Sequence, residues 1–412
     1  MRLSQLFTKT TKHVPAQEVS ANARLLLRGG FVYRNLAGVW SLLPLGVRVL
    51  HNIERIIREE LDGAGCQELL LNNLQAKDVW ESSGRWQSLK GDMYQFKDPG
   101  GAQVGLGFTH EEVIAHIAKA YMHSADDLPQ AVYQIQKKFR YEPRPRSGLL
   151  RGREFGMNDL YSFHRDTDDL NRFYQSIVAV YKKIFKRMSL DVIVAEASGG
   201  VFSHEYSHEF QVVSEAGEDT IYVCDQCDFA RNKELMRADT NRCPTCKKGK
   251  VRAMQAIEVG NTFKLGTKYA QAADLAIDTP EGRTPVVMAS YGIGTTRLVG
   301  AITETNYDES GIIWPKSIAP YLVHLIVLGT GSEIVKRSDA LYRILNEQGI
   351  ATLYDDRRQR AGATFADADL IGCPLRVVVS QKAGERIELK HRNHRKTELT
   401  TVAGLIDIAG NI

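Results

Sequence analysis

Hydrophobic and polar residues along the chain follow two periods, one typical of helices and the other of strands. Over residues 47–61 apolar residues recur every three or four positions, which predicts a long amphipathic helix that ends at the glycines that follow. The same period predicts helices over residues 15–30 and 167–189. The apolar run ELLL at 68–71 predicts a short strand. The chain therefore mixes helices and strands from its first third onward.

Residues 139–164, FRYEPRPRSGLLRGREFGMNDLYSFH, predict a strand, a long loop and a second strand. The loop contains two prolines and two glycines, which a helix would not tolerate. Its five arginines are Arg140, Arg144, Arg146, Arg151 and Arg153. Arginine presents planar, bidentate donors that bind phosphate or carboxylate, so this loop would suit a triphosphate. On charge alone, a solvated basic loop or a non-specific nucleic-acid patch explains the arginines equally well.

Residues 94–118 predict a hairpin around DPGG and then a helix. Thr109 is predicted to cap this helix, with Glu111 in its first turn. His110 and His116 are six residues apart and do not form the HExxH pattern, so a metal site is not expected there.

Two CxxC pairs separated by fifteen residues predict a zinc ribbon. The four predicted metal ligands are Cys224, Cys227, Cys243 and Cys246. Because all four ligands are protein thiolates, no coordination position remains for chemistry and the site would be structural. A redox pair or a site that no longer binds metal is the alternative. Cys66 and Cys373 stand alone, so the six cysteines do not resemble a secreted disulfide framework.

The last third of the chain predicts two further regions. VVMASYGIGTTRLVGAI predicts a strand, a glycine turn and a helix, although Gly292 and Gly294 alone are weak evidence for a nucleotide site. GIIWPKSIAP is the predicted domain boundary. Residues 321–412 then alternate strands and helices, which predicts an α/β unit with a mostly parallel or mixed sheet.

Composition and charge add few constraints. A chain of 412 residues is expected to form two or three domains, and 43% hydrophobic with 25% charged residues is ordinary for a soluble protein. A formal net charge of +4 permits a nucleic-acid partner without requiring one. The N-terminus has no apolar signal region and no apolar run is long enough to span a bilayer, so a cytoplasmic protein is expected, without a membrane partner.

Several of these segments together resemble one family. FRYE followed by Arg151 and Phe155 resembles motif 2 of the class II aminoacyl-tRNA synthetases. THEE, YSFH, SHEF at 207–210, GIGTTR and DDRRQRAGATFADADLIGCPLRVVV resemble the bacterial type of prolyl-tRNA synthetase, over nearly the whole chain. The resemblance implies an α+β catalytic domain with an antiparallel sheet flanked by helices, a zinc-ribbon-like insertion and a C-terminal α/β anticodon-binding domain. The expected boundaries are 1–215 and 255–318 for the two catalytic parts, 216–254 for the insertion and 319–412 for the anticodon-binding domain.

The resemblance also implies roles for individual residues in binding ATP. Arg140 would hold the α-phosphate and the amino-acid carboxylate, Arg151 would hold the triphosphate and Arg297 would hold the γ-phosphate. Glu142 would bind the adenine amino group, and Phe155 would stack on the base. Gly292 and Gly294 would let adenosine approach the backbone. Arg140 and Arg297 would be the catalytic pair.

A second implied group of residues concerns the amino acid and the tRNA. Thr109 and Glu111 would receive the secondary ammonium of proline, Phe163 and His164 would line the pyrrolidine pocket, and Glu209 would face the same site. The histidines of the SHEF region are equally well explained as loop residues. Asp356, Arg357 and Arg360 could read tRNA bases, although for each of them a solvated rim is as good an explanation.

The implied function is ATP-dependent ligation of proline to tRNA(Pro) through prolyl-adenylate, with Mg²⁺ accompanying ATP. A homodimer is expected, although Asn72-Asn73 stands where relatives usually have proline. The segment between SHEF and EVGNTFKLGTKYA is too short for an inserted editing domain, so a separate deacylase is the expected partner. Two alternatives are a relative that activates another amino acid and a non-catalytic, synthetase-like RNA-binding accessory protein.

Overall fold

The computed structural model describes residues 1–16, 18–200, 205–236, 242–280 and 282–411. The helices are α1 (Ala21–Arg28), α2 (Pro44–Gly63), α3 (Lys77–Glu81), α4 (Arg85–Ser88), α5 (Glu111–Lys119), α6 (Thr167–Arg187), α7 (Lys268–Ala272), α8 (Thr295–Thr305), α9 (Ser332–Glu347), α10 (Ala361–Ile371) and α11 (Val402–Asn411).

The strands up to residue 200 are β1 (Val32–Leu36), β2 (Val39–Leu42), β3 (Gln67–Glu68), β4 (Leu74–Ala76), β5 (Gln95–Lys97), β6 (Gln103–Leu106), β7 (Gln130–Phe139), β8 (Glu154–His164) and β9 (Ile193–Ser198). The later strands are β10 (Tyr206–Val213), β11 (Asp219–Cys224), β12 (Ala230–Asn232), β13 (Val251–Gly266), β14 (Ala276–Thr279), β15 (Gly282–Pro285), β16 (Val287–Ile293), β17 (Tyr307–Asp308), β18 (Gly311–Ile312), β19 (Val323–Leu328), β20 (Thr352–Asp355), β21 (Leu375–Ser380), β22 (Ile387–His391) and β23 (Glu398–Thr400).

The chain forms two compact units. The smaller unit contains Met1–Asn35, Trp40–Ile53 and Ile302–Ile412, and the larger unit contains Leu36–Val39 and Glu54–Ala301. These two units are defined by compactness, whereas the predicted domain boundaries at residues 215, 254 and 318 are defined by sequence motifs. The predicted boundaries therefore stay predictions.

A nine-stranded sheet is the centre of the larger unit, in the order β10-β9-β12-β11-β13-β16-β8-β7-β3, with β10 also pairing with β13. The central pairs β13–β16, β16–β8 and β8–β7 are antiparallel, as predicted for this part of the chain. Every residue of β16 is buried, which matches its continuous apolar run VMASYGI.

Helix α6 covers this sheet and confirms the prediction over residues 167–189 to within its last two residues. Its buried residues, at helical spacing, are Leu170, Tyr174, Ile177, Tyr181, Ile184 and Phe185. Asp166 caps the helix by accepting a hydrogen bond from the backbone nitrogen of Asp169. The amphipathic period thus supplies the face that packs on the strands.

The smaller unit contains a five-stranded sheet in the order β20-β19-β21-β22-β23. Strand β19 is parallel to both β20 and β21, whereas β22 is antiparallel to its neighbours, so the predicted mixed α/β sheet is confirmed. Helix α11 and strand β23 complete this unit and were not predicted from the sequence.

Two of the predicted elements are shorter than expected. The helix expected at 15–30 begins only at Ala21, where the carboxylate of Glu304 accepts hydrogen bonds from the backbone nitrogens of Ala21 and Asn22. This cap comes from a residue distant in sequence, so local spacing could not locate it. The strand expected at 68–71 is limited to β3 at Gln67–Glu68. The backbone nitrogen of Leu71 donates to the side chain of Gln134 and not to the backbone of the neighbouring strand β7.

Each of the two units has a core of buried apolar residues. None of the helices among these residues has both the length and the apolar character needed to cross a membrane.

Candidate active site

A cavity of about 320 Å³ lies beside the loop that joins β7 and β8. Its lining residues come from this loop, the residues around the start of β11, the middle of β13 and the first turn of α8. They are Arg140, Glu142, Leu149, Leu150, Arg151, Gly152, Phe155, Ala216, Gly217, Glu218, Asp219, Ala256, Ile257, Glu258 and Arg297. Five of the residues predicted to bind ATP, which span 158 positions of the sequence, therefore meet at one cavity: Arg140, Glu142, Arg151, Phe155 and Arg297.

Arg140 follows directly after β7 and its guanidinium lies between two aromatic rings. The centre of the guanidinium is 4.7 Å from the ring centroid of Phe108 and 5.4 Å from that of Phe155. Its Nε donates to the backbone oxygen of Phe108 at 3.2 Å. Burial lowers the pKa of Arg140, but an arginine remains charged at neutral pH. The site therefore holds a fixed positive charge with its Nε already oriented by the protein.

Arg151 is held between two carboxylates. Its Nε donates to Glu142 at 2.7 Å and its Nη1 donates to Glu218 at 2.5 Å. Arg146 of the same loop donates to the other oxygen of Glu218 at 2.6 Å. Glu218 was not predicted from the sequence, and it secures the arginine loop against the start of β11.

Arg297 is oriented by backbone oxygens from two other stretches of the chain. Its Nε donates to the oxygen of Leu150 at 2.9 Å, and its Nη1 donates to the backbone oxygen of Glu258 at 2.8 Å. A carboxylate oxygen of Glu258 lies 3.4 Å from the same nitrogen. These contacts tie the guanidinium to the loop of the β7–β8 hairpin and to β13, on the lining of the cavity.

The two predicted glycines lie next to this arginine. A Cβ on Gly292 would approach the Cε of Met157 to 2.4 Å, and one on Gly294 would lie 3.1 Å from the Cβ of Arg297. A side chain at Gly292 would meet the flexible end of Met157, and one at Gly294 would be in tight contact with Arg297.

Thr109 and Glu111 lie together, but Thr109 is not the helix cap that the sequence predicted. The cap position of α5 belongs to His110, which makes no side-chain capping bond. The Thr109 hydroxyl instead donates to a carboxylate oxygen of Glu111 at 2.5 Å. Both side chains are buried, and the pair lies next to the charged side chain of Arg85.

Arg85 is a buried partner of these acidic residues that sequence reasoning missed. Its Nη1 donates to the carboxylate of Glu112 at 3.0 and 3.2 Å and lies 3.4 Å from Glu111. Ser83 donates to Glu112 at 2.7 Å. The sequence around Arg85 contains no motif, so only the fold reveals that this charge balances the two glutamates.

Lys138, two residues before Arg140, is fully buried beside Asp159 and His110. Burial, followed by the positive charge of Lys138, lowers the pKa of His110 to about 3. The neutral imidazole then donates from Nε2 to the backbone oxygen of Asn72 at 3.0 Å and accepts at Nδ1 from Lys138 at 2.6 Å. Both ring nitrogens of His110 thus have partners within the protein, and the expectation that it binds no metal stays a prediction.

Phe163 and His164 are fully buried and do not line the cavity described above. Phe163 belongs to a core cluster with Tyr161 and Met288. His164 contacts Asp169 through Nδ1 at 2.8 Å and Ser162 through Nε2 at 2.9 Å. Both residues are thus part of the buried packing at the end of β8.

Glu209, on β10, has two amide donors at one oxygen. Gln211 donates at 2.9 Å and Asn232 at 3.0 Å. Burial raises the pKa of Glu209 to about 7, and the nearby carboxylate of Glu258 adds to the shift. Because Glu258 lines the cavity, Glu209 is electrostatically linked to the same site.

The four cysteines predicted to bind zinc lie together. Their sulfur atoms are all within 4.8 Å of one another, with 3.7 Å between Cys224 and Cys246 and 3.6 Å between Cys227 and Cys243. Sulfurs bound tetrahedrally at about 2.3 Å from one zinc ion would lie about 3.8 Å apart, so the donor set fits that metal. A Cβ on Gly249 would lie only 2.4 Å from the Cys224 sulfur, which shows how tightly the turn surrounds the site.

The residues predicted to read tRNA bases differ in their surroundings. The carboxylate of Asp356 accepts from the backbone and hydroxyl of Ser4 at 3.0 and 2.8 Å. Arg357 donates to Asp355 at 2.8 Å and to Asp367 at 2.9 Å. Arg360 is exposed at the start of α10. Of the three predicted side chains, Arg360 is therefore the one that faces solvent most openly.

Comparison with known families identifies the class of protein that this fold and cavity define. A family model described as the tRNA synthetase class II core domain (G, H, P, S and T) matches residues 94–306, and one described as an anticodon binding domain matches residues 323–411. The chain is thus a class II tRNA synthetase by its core and its C-terminal domain, which confirms the resemblance seen in its motifs.

Curated relatives narrow this class further. The proline--tRNA ligase of Parvibaculum lavamentivorans is 39% identical over 439 aligned positions that cover 100% of both chains. That of Zymomonas mobilis is 38% identical and covers 99% of this chain and 98% of its own. The chain belongs to the proline--tRNA ligase family.

A longer relative clarifies the missing insertion. The proline--tRNA ligase of Bacillus mycoides is 32% identical over 564 aligned positions that cover 100% of both chains. This chain has 412 residues, so the longer relative contains segments without a counterpart here. The predicted lack of an inserted editing domain agrees with this difference in length.

One solved structure confirms the fold. The structure described as prolyl-tRNA synthetase from Cryptosporidium parvum complexed with L-proline and AMP superposes with a TM-score of 0.77. It is 15% identical, and the match covers 95% of this chain and 74% of that chain. At this identity the similarity concerns the arrangement of the elements.

Proposed function

We propose that this chain activates L-proline with ATP to prolyl-adenylate, releases pyrophosphate and transfers the prolyl group to the 3′-terminal adenosine of tRNA(Pro). The observation that carries the proposal is the convergence of Arg140, Arg151, Phe155 and Arg297 on one cavity, in a chain of the proline--tRNA ligase family. Three positive charges and one aromatic ring are the groups that a nucleoside triphosphate requires.

Arg140 and Arg297 are the proposed catalytic pair. The proline carboxylate attacks the α-phosphorus of ATP and the bond to pyrophosphate breaks, so negative charge is redistributed along the phosphates. The two guanidiniums, both on the lining of the cavity, would neutralise this charge, and Arg151 would hold the outer phosphates. The carboxylate is already ionised, so the step needs positioning and electrostatic stabilisation and no general base. Mg²⁺ bound to ATP supplies further neutralisation of the phosphates.

The remaining nucleotide contacts follow from the same cavity. Phe155 would stack on adenine, and Glu142, which now holds Arg151, would exchange this partner for the adenine amino group. Gly292 and Gly294 do not line this cavity, and by resemblance to the family they would let adenosine approach the backbone at the end of β16.

The amino-acid site would use Thr109 and Glu111 for the secondary ammonium of proline. Their hydroxyl and carboxylate form a paired acceptor set, and burial strengthens their interaction with a cation. Phe163 and His164 would shape the apolar wall from beneath, while Glu209 adds a carboxylate on the side of β10.

Cys224, Cys227, Cys243 and Cys246 would hold one Zn²⁺ ion in a structural site. The support is the sulfur geometry together with amide donors to the thiolates, from Gln226 to Cys224 and from Gly249 to Cys246, both at 3.3 Å. The metal would cross-link two turns of the chain and take no part in the reaction.

The proposed partners follow from the reaction. The C-terminal domain would bind the anticodon of tRNA(Pro), with Arg360 as the accessible basic residue and Asp356 and Arg357 as neighbours that shape the loop. A homodimer, a separate deacylase for mischarged tRNA and a cytoplasmic location are the further proposals, since the substrate tRNA is charged where translation occurs.

ATP–pyrophosphate exchange without tRNA, measured with each of the twenty amino acids, tests the proposal. Proline should support the strongest exchange and alanine a weaker one. Exchange with a different amino acid would replace the proposed substrate. No exchange with any amino acid, in folded protein that binds ATP, would favour a non-catalytic RNA-binding role.

A further inference from the structure

Strand β12 and the turn after it contact the strands that carry Glu209. Arg231 donates to Glu196 of β9 at 2.6 Å, and the Glu234 carboxylate accepts from the backbone nitrogen of Ser198 at 2.6 Å. Asn232 donates to the carboxylate of Glu209 on β10 at 3.0 Å. Three residues within four positions therefore connect this short strand to β9 and β10.

The position of β12 depends on the cysteine turn. Strand β12 pairs with β11 at three positions and with β9 at only one. Cys224 ends β11, and its backbone nitrogen donates to the oxygen of Phe229 at 3.0 Å, directly before β12 begins. Cys227 lies within the same turn, so a metal bound by the four cysteines would hold β12 in register. We call β11, β12 and the two cysteine turns the cysteine module.

Glu209 requires the donor that this module supplies. Its carboxylate is partly buried near a second carboxylate, Glu258, and its other amide donor, Gln211, is shared with Asp219 at 3.1 Å. Among the described residues, Asn232 is the donor to Glu209 that is not shared with another carboxylate. A buried carboxylate without sufficient donors is costly, so loss of Asn232 would change the position or the charge of Glu209.

We infer that the cysteine module braces the amino-acid side of the active site, and that Asn232 is the positioning residue that connects the metal-held turn to Glu209. This inference rests on the proposed function, because it assumes that Glu209 faces bound proline. Proline binding then requires a metal ion bound by the four cysteines. The nucleotide contacts of Arg140 and Arg297 are made by other elements and do not require it.

Two substitutions at one position test the role of Asn232. Asn232→Ala removes the donor, and Asn232→Asp keeps the shape of the side chain but places a carboxylate against Glu209. In pyrophosphate exchange we expect Asn232→Ala to raise the KM for proline about tenfold and Asn232→Asp to raise it further, while the KM for ATP remains unchanged. A role in packing alone would leave the isosteric Asp variant close to wild type.

Thr220→Ala is the matched control, since it removes a hydrogen bond from β11 of the module to Gln255 of β13 that does not involve Glu209. It should leave both KM values unchanged. An unchanged KM for proline in both Asn232 variants would overturn the inference, as would equal increases in the KM for proline and for ATP.

Cys227→Ser tests the connection to the metal with a binding measurement. We expect the variant to lose bound zinc, assayed with a colorimetric chelator, and to lose the rise in thermal midpoint that proline causes, while ATP still raises it. An undiminished proline effect in the zinc-free variant would overturn the inference. Failure of the wild-type enzyme to exchange with proline would instead refute the proposed function, so the two failures are distinguishable.

Discussion

Arg297 shows how one side chain depends on three separate stretches of the chain. It lies in the first turn of α8, but its direction is set by the backbone oxygens of Leu150 and Glu258. A guanidinium has five N–H donors in a planar fork, so it can satisfy both acceptors and still present several N–H groups to a phosphate, whereas an ammonium has only three donors and no such fork.

Arg297→Ala should lower the rate of proline-dependent pyrophosphate exchange by at least about 100-fold, because a preorganised charge that acts on the transition state is lost. Arg297→Lys should recover little of this rate, since lysine lacks the planar fork. Circular dichroism and the thermal midpoint control for folding. Substantial exchange by a folded Ala variant would refute the catalytic role.

Glu209 illustrates a charge that burial disfavours. Its pKa is raised to about 7, above the ordinary glutamate value near 4.5, so ionisation costs stability in the folded state. The stability of the protein should fall as pH rises from about 4.5 to 7, because the unfolded chain ionises this carboxylate first.

Glu209→Gln should remove this loss. The variant should gain stability relative to wild type as pH rises through that range, by at most about 3 kcal/mol above pH 8. Thermal midpoints at pH 5 and pH 8 measure the effect, and Glu215→Gln, at an exposed position, controls for loss of a negative charge. A difference between variant and wild type that does not change with pH would contradict the raised pKa.

At the scale of elements, the β7–β8 hairpin contributes lining residues to the cavity, and the cysteine module contacts both this hairpin's loop and β10. The hairpin pairs over ten positions, from Gln130 with Phe163 to Phe139 with Glu154. Both ends of the arginine loop are therefore attached to regularly paired strands. The start of β11 meets this loop through Glu218, and β12 meets β10 through Asn232. Rigid strands thus hold loops that carry the chemistry.

Metal removal should destabilise the cysteine module. A strong chelator is expected to release about one zinc ion per chain and to lower the thermal midpoint by several degrees, because a structural metal site contributes its binding energy to folding. Added zinc should restore the midpoint. The Cys227→Ser variant should not respond to the chelator, and protein that contains no zinc as purified with an unchanged midpoint would contradict the proposed site.

At the scale of the whole molecule, the chain has a synthetic site and no inserted editing domain. A pocket that fits proline rejects the smaller alanine by only about 1–3 kcal/mol, since alanine merely loses apolar contacts. We therefore expect the purified enzyme to form alanyl-tRNA(Pro) and to leave it intact.

Incubation of pre-formed alanyl-tRNA(Pro) with the enzyme measures this property, with buffer alone as the control for spontaneous hydrolysis. Decay faster than in buffer would show that the chain edits its product and would contradict the expected need for a separate deacylase.

The sequence by itself determined the helices around residues 47–61 and 167–189, the arginine loop, the four cysteines and the family. These features are local: apolar period selects helix or strand, proline and glycine exclude helix, and CxxC spacing orients two thiolates. The same local reasoning misassigned Thr109 as a helix cap and extended the first helix to residue 15.

Only the tertiary structure decided which partner each polar group found. It gave Arg85 to Glu112, Glu218 to Arg151 and Asn232 to Glu209, in pairs separated by 27, 67 and 23 positions. It also set the charge of His110, whose low pKa follows from burial beside Lys138. Burial and contacts across the sheet control donors, acceptors and charges, and neither is encoded in local sequence spacing.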